Sequence, residues 1–401
     1  MVNKNNNMKR IQILIFLGLL ILCACSKPSA PIPIPDPIQP DPIPNMPLQG
    51  VFFLGFQAKA SGLDFDNALF RDGALIKNII SYPVDHFYVE GIHHLTEERD
   101  GFGFKYYGRA YLASQRTRIA YIDKNDKFLL ASKAGWQVAD DFDESIEAKT
   151  IYQGSLYLSV KATNVDNTIT RNYCYKVLPD GSVSVIPTTN EEFYGLEFMQ
   201  VLPSGLHVAT VGSPYADGRF RIYNPTNVIA AIDISIPGFK HSYVQGFHMI
   251  NENLAELLIQ AYGERDQLAE TYYARYNLNT KVLQKYRIDA SYDHFANSFT
   301  DWTYDAGCFY VSGYQSGIGR AYYAKIKFDE QKSTAVVEIN DLQVLGAATR
   351  AYTSKIFVKN GNVFITGHQG GKYSYWENKV WKGTQFQGDK NFFITDIIFK
   401  P

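Results

Sequence analysis

The chain has 401 residues, 46% of them hydrophobic and 14% aromatic, including 28 Tyr and 26 Phe. That is enough apolar material for a large core, and the aromatic bias favours strands over helices. With 39 basic and 40 acidic residues the net charge is −1. No basic field or Lys/Arg run exists to hold a polyanion, so nucleic acid is excluded as a partner.

The first residues are a processing signal. Lys4, Lys9 and Arg10 form a positive start, and Ile11 to Leu22 is an apolar run too short to span a bilayer comfortably. It ends in Leu22-Cys23-Ala24-Cys25. This order of apolar residue, spacer, small residue and Cys resembles the bacterial lipobox, which implies cleavage after residue 24 and lipidation of Cys25. A secretory signal cleaved nearby, or an uncleaved anchor, is the alternative. By the same resemblance, Ser26 in place of Asp points to the outer membrane. The acidic run that sends many Bacteroidota lipoproteins to the cell surface is absent, so either face of that membrane is open.

From Pro28 to Pro47 nine prolines recur in patterns such as Pro31-Ile32-Pro33-Ile34-Pro35. They forbid sheet or helix interiors. Residues 25–49 are a tether, of which Ser26 to Pro47 would span ~70 Å if extended at ~3.1 Å per residue, or else be disordered.

From residue 50 onward one pattern recurs, of short alternating strands broken by Gly, Asn and Asp turns. Its best copy is Lys359-Asn360-Gly361-Asn362-Val363-Phe364-Ile365-Thr366-Gly367, followed by Tyr375-Trp376-Glu377-Asn378-Lys379. Related cores begin at Phe52, Tyr111, Leu156, His207, Leu257 and Tyr310. Their last residues are 59, 45, 51, 50, 53 and 54 positions apart along the chain. Asn253 to Gln260 has helical propensity, but its place in the repeat makes it a strand. Seven copies with a period near 52 predict an all-β, seven-bladed β-propeller of four-stranded antiparallel blades over residues 50–401. The copy at Val363 to Lys379 resembles the repeat of bacterial propeller proteins with a Val-Tyr-Val-Ala-Gly strand and a Tyr-Trp-Lys-Asn-Gly turn, with Lys379 in place of the turn glycine.

The ends are complementary. Val51 to Gly73 lacks the strand that precedes each other core, and Phe393 to Phe399 is a strand left over. Pairing the C-terminal strand into the first blade would close the ring and remove two sheet edges. A solenoid or two β-sandwiches would leave these ends unexplained. Of the four cysteines, Cys23 and Cys25 belong to the signal, and Cys174 and Cys308 read as buried free thiols in separate repeats. No CxxC or zinc-like spacing is present, and the adjacent His93 and His94 would point to opposite faces of a strand, so no metal site is expected.

Candidate ligand groups lie on the strands nearest the axis. Tyr88-Val89-Glu90-Gly91-Ile92-His93-His94 and Tyr243-Val244-Gln245-Gly246-Phe247-His248-Met249 align without a gap. This places Glu90 with Gln245 and His93 with His248, and Glu197 lies in a looser relative. A polar funnel for a small ligand, or hydrogen bonding between blades, would each use such residues. Trp302, Arg350 and Tyr352, with Trp136 and Tyr304, lie near loops leading to inner strands. There they are aromatic or anion-binding candidates, or core. Asp140 to Glu144 reads as a solvated acidic loop. Glu90, Glu197, Asp301 and Asp396 are carboxylates able to serve glycoside chemistry only if paired at the right separation. No nucleophile elbow, His-Glu-x-x-His motif, phosphate loop or dinucleotide fingerprint occurs in context, and the residues indicate no cofactor.

These features predict a monomeric, membrane-anchored binding lipoprotein. It would capture a small ligand, a glycan or a ferric chelate, for an outer-membrane transporter. The alternatives are a propeller enzyme acting on polysaccharide, as glycosidase or lyase, and a protein-interaction scaffold.

Overall fold

The computed structural model describes residues 50–58, 65–79, 86–98, 101–111, 117–122, 128–130, 142–164, 166, 170–178, 182–186, 197–211, 219–224, 227–264, 268–288, 299–315, 319–346, 349–387 and 392–400. The signal, Cys25, the tether, Trp136, Asp140 and Asp141 lie outside them, as do the side chains of His93 and His94. No helix among the described residues is long and apolar enough to cross a membrane.

The protein is an all-β propeller of four-stranded antiparallel blades. The described strands form seven four-stranded sheets. The first comprises β1 (Gly50–Ala58), β2 (Phe65–Arg71), β3 (Ala74–Ile79) and β28 (Phe392–Lys400), in the order β28-β1-β2-β3. Each other sheet is a meander of four consecutive strands. The innermost strands are β4 (His86–Glu98), β8 (Phe142–Tyr152), β12 (Phe198–Leu202), β16 (His241–Asn251), β20 (Phe299–Asp305) and β24 (Ala351–Lys359). β24 contacts β28, and β28 contacts β4, so the last sheet meets the first.

Closure follows the complementary ends of the sequence. β28 runs antiparallel to β1 from Gly50↔Lys400 to Gln57↔Phe392. Across this seam Phe53, Phe70 and Phe392 pack with Phe364 and Tyr373 of the last sheet. The other sheets are joined in the same way. Phe198 and Phe220 pack on Phe247, and Leu258 and Tyr273 pack on Phe309. Each such fully buried side chain contributes ~1.5–3 kcal/mol.

Local chemistry explains the hairpins. β24 passes into β25 (Asn362–Gln369) through Asn360-Gly361, both with positive φ, 53° and 78°. Such a two-residue turn matches strand twist, and Asn-Gly adopts it cheaply. β26 (Lys372–Glu377) turns into β27 (Val380–Gln387) through Asn378 and Lys379, at φ 45° and 80°. Lys379 holds a conformation that a glycine would adopt without cost. Trp376 is fully buried, donates from Nε1 to the Gln343 carbonyl at 2.8 Å, and meets the Trp381 ring edge-on at 4.4 Å.

Two expectations change. The second strand of its sheet, β5 (Gly101–Tyr111), ends where the sequence places a core at Tyr111 to Ser114. Strand pairing instead aligns Gly108 with Gly55 and Val160, at intervals of 53 and 52, so the irregular steps of 59 and 45 disappear. The acidic stretch is also no solvated loop over its described part. Asp143 and Glu144 lie within β8, and buried Glu144 accepts the Ile119 amide through Oε2 at 2.7 Å. Leu254 to Gln260 lie in the strand β17 (Leu254–Tyr262), with Asn253 in the turn before it, and Cys174 and Cys308 are free and buried.

Candidate functional site

The innermost strands share a defect. In six of them the pairing with the neighbouring strand skips one residue: Glu90, Glu147, Gln245, Thr300, Ser354 and Thr395. All six are polar. The seventh strand, β12, is regular, and Glu197 immediately precedes it. A β-bulge kinks its strand and re-aims one side chain, and bulges concentrate beside binding sites. β4 skips a second residue at His93 and β16 a second at the apolar Ile250, so His93 and His248, aligned in the sequence, do not occupy equivalent places in the ladder.

Three of the bulged residues, Glu90, Glu147 and Thr395, line one cavity of about 460 Å³ with Lys149, Lys355, Ile146, Ala148, Phe56, Phe393 and Ile394. The wall is drawn from β1, β4, β8, β24 and β28, so four inner strands converge on it. Its size lies within the usual range for small-ligand sites.

Charge in the wall is organised in pairs. Lys149 Nζ lies 3.0 Å from Asp396 Oδ1, which joins β8 to β28. Lys355 Nζ lies 3.5 Å from Asp301 Oδ1, and Asp301 Oδ2 accepts the Ile356 amide at 3.0 Å, joining β20 to β24. Burial raises the Asp301 pKa, against the lowering effect of Lys355 and the Ile356 amide. Glu147 Oε1 accepts the Ser145 hydroxyl at 2.6 Å. The Glu197 carboxyl is pushed up to about 7, first by removal from bulk water and then by the charge of Glu147, against a lowering effect of Lys161. Glu197 nevertheless retains exposed surface, and it is not among the residues that line the cavity. Among the described residues no group of three His, Cys, Asp or Glu could hold a metal ion.

The residues singled out in the sequence separate into three sets. Glu90 and Gln245 occupy matching bulges, as their alignment implies, and Glu197 neighbours Glu147 electrostatically. His248 and Trp302 are packing residues. The His248 ring stacks on Tyr304 of the next sheet at 3.6 Å, and burial lowers its pKa to about 4, so it is neutral at physiological pH. Trp302 packs against Phe198 and Phe309. Arg350 and Tyr352 form a separate patch at the start of β24, where Arg350 is exposed and Tyr352 meets Tyr314 and His368, each at 4.9 Å. The two aspartates among the candidate carboxylates pair with lysines, not with one another.

Glu147, Lys149, Lys355, Thr395 and Phe393 are additions from the structure. The consecutive polar pair Thr395-Asp396 inside an apolar strand is a slip in alternation that marks one of these bulges, whereas Ser145-Ile146-Glu147-Ala148 alternates regularly and gives no sign of the other. Gln200 serves the framework instead. It accepts the Met249 amide at 2.7 Å and donates to the Met249 carbonyl at 2.9 Å, locking β12 to β16.

No protein-family model matches the chain, and no curated protein matches it. Among solved structures it is similar to a candidate 6-phosphogluconolactonase from Bacteroides uniformis (10% identity, TM-score 0.45, covering 88% of this chain and 100% of that one). It is similar also to a GH43_1 enzyme from Xanthomonas citri complexed with xylotriose (14%, TM-score 0.31, 63% and 94%). A third is a mutant Aleuria aurantia lectin in complex with alpha-methyl-L-fucoside (11%, TM-score 0.34, 75% and 93%).

Proposed function

We propose that the chain is a seven-bladed propeller lipoprotein, held at the outer membrane through Cys25, that binds a small polar ligand in the cavity between its inner strands. The ligand classes are a glycan or a ferric chelate, delivered to an outer-membrane uptake system. The observation that carries this reading is the set of bulges, because six innermost strands each break register at a polar residue and three of those residues line one cavity. The innermost strands are sheet edges, where bulges also occur without a ligand, so the support for a site lies in the convergence of three skipped residues on one cavity. Calorimetric titration of the full chain with oligosaccharides and ferric chelates tests it. The expected result is saturable binding that falls at least about tenfold in Glu147→Gln and Lys355→Gln. Unchanged affinity in both variants removes the cavity as the site.

A second reading, a polysaccharide-cleaving enzyme, is favoured by one observation. The Glu197 carboxyl is pushed up to about 7, first by removal from bulk water and then by the charge of Glu147, as the general acid of a glycoside hydrolase requires. Incubation with polysaccharides would then release new chain ends, and Glu197→Gln would abolish the release. No release by the native chain removes this reading.

A further inference from the structure

Resting on the reading of the cavity as a binding site, we propose that its ligand is a neutral sugar ring, seated with its C–H face on Phe393 and its hydroxyl groups on Glu90, Glu147, Lys149, Lys355 and Thr395. The first observation is an exposed aromatic in an unusual place. β28 buries Phe392, Ile394 and Ile397, yet Phe393 is 50% exposed and lies in the cavity wall. Its ring meets that of Phe56, also in the wall, at 5.3 Å and 31°. Two inclined aromatic rings with Ile146 and Ala148 beside them form an apolar shelf within an otherwise charged rim. A wet apolar shelf gains by being covered.

The second observation is the mixture of polar groups around the shelf. Carboxylates only accept hydrogen bonds, ammonium groups only donate them, and the Thr395 hydroxyl does both. A ligand that satisfies all of these at once carries several groups that both donate and accept, spaced around an apolar face. A pyranose ring has that pattern. A ligand of one charge sign does not.

The third observation is the charge balance. Glu90 and Glu147 face Lys149 and Lys355 in the wall, and Asp396 and Asp301 stand against the two lysines. Among the described residues of the wall and their ion-pair partners, four carboxylates therefore accompany two ammonium groups, and the surplus is negative. Uronate oligosaccharides and anionic ferric chelates meet repulsion there, whereas a neutral sugar does not.

The test is calorimetric titration of the full chain with three panels: neutral pyranose oligosaccharides, oligogalacturonates, and ferric catecholate and hydroxamate chelates. Phe393→Ala and Phe393→Trp are titrated in parallel, and a thermal melt of each verifies folding. The expected result is binding confined to the neutral panel, weakened about tenfold or more by Phe393→Ala and retained by Phe393→Trp. Binding confined to oligogalacturonates or ferric chelates, and lost in Glu147→Gln or Lys355→Gln, overturns the sugar assignment but supports the cavity as a site. Neutral-sugar binding that survives Phe393→Ala in a folded protein overturns the role of Phe393. Absence of binding in all three panels overturns the sugar assignment together with the reading on which it rests.

Discussion

Removal of Phe392 to Pro401 takes out β28 alone and leaves every other strand intact. The cost can be worked from the burial that the strand provides. Phe392, Ile394 and Ile397 are 7%, 7% and 4% exposed, so losing their burial costs ~5–9 kcal/mol at ~1.5–3 kcal/mol each. The truncation also removes the ladder to β1 and bares an edge that includes the buried Val51, Phe52, Phe53 and Leu54. Whole-domain stability is typically ~5–15 kcal/mol. The truncated chain should therefore be unfolded or melt far below the intact one by circular dichroism, and it should aggregate through the open edge. A synthetic peptide of residues 392–401, added in excess, should restore part of the melting temperature by re-adding the strand. A truncated chain that melts within about 2 °C of the full chain refutes the closure, since losses of this size shift Tm by many degrees.

Three further outcomes rest on local geometry. Lys379→Gly should stabilise by about 0.5–1 kcal/mol, because it relieves a left-handed lysine in the turn after Glu377. An unchanged or lower Tm would show that the turn is not strained there. Glu197 has a raised pKa, so the folded chain retains a proton that the unfolded chain releases, and stability declines as pH rises from about 4.5 to about 7. Glu197→Gln should therefore equal the native chain below pH 4.5 and exceed it at pH 8 by ~1–2 °C, after allowance for screening by water. A constant Tm difference across that range would show no shift. His248 acts in the opposite direction. Its lowered pKa makes the unfolded chain the better proton acceptor, and stability is lost as pH falls from 6.5 toward about 4. His248→Phe keeps a ring on Tyr304 and should remove about 1–3 kcal/mol of that acid loss; equal acid sensitivity in both proteins would contradict it.

The architecture was legible in the sequence because it is periodic. Turn chemistry at Asn360-Gly361 and alternation at Val363 to Ile365 mark a hairpin wherever they recur, and the surplus strand at Phe393 matches the deficit before Val51. The register of the second repeat was not legible. Tyr111-Leu112-Ala113 alternates as well as Tyr106-Tyr107-Gly108 does, and only cross-strand pairing distinguishes them. The site was half legible. Glu90 stands out as a polar residue in a strand that should be buried, and so does Gln245, which is not among the cavity-lining residues, whereas Lys149, Lys355 and Phe393 look like ordinary outward positions. A bulge reverses the facing of the residues beyond it, so a strict period-2 reading misplaces these side chains. His248 shows the reverse error: a polar residue near the axis that spends its ring on Tyr304.

The most direct test of the cavity as the binding site is calorimetric titration of the native full chain and of a Glu147→Gln, Lys355→Gln double variant against a ligand drawn from the sugar and chelate panels. Saturable binding by the native chain, lost in a double variant that melts normally, is the predicted result. Equal binding by the two proteins would contradict it.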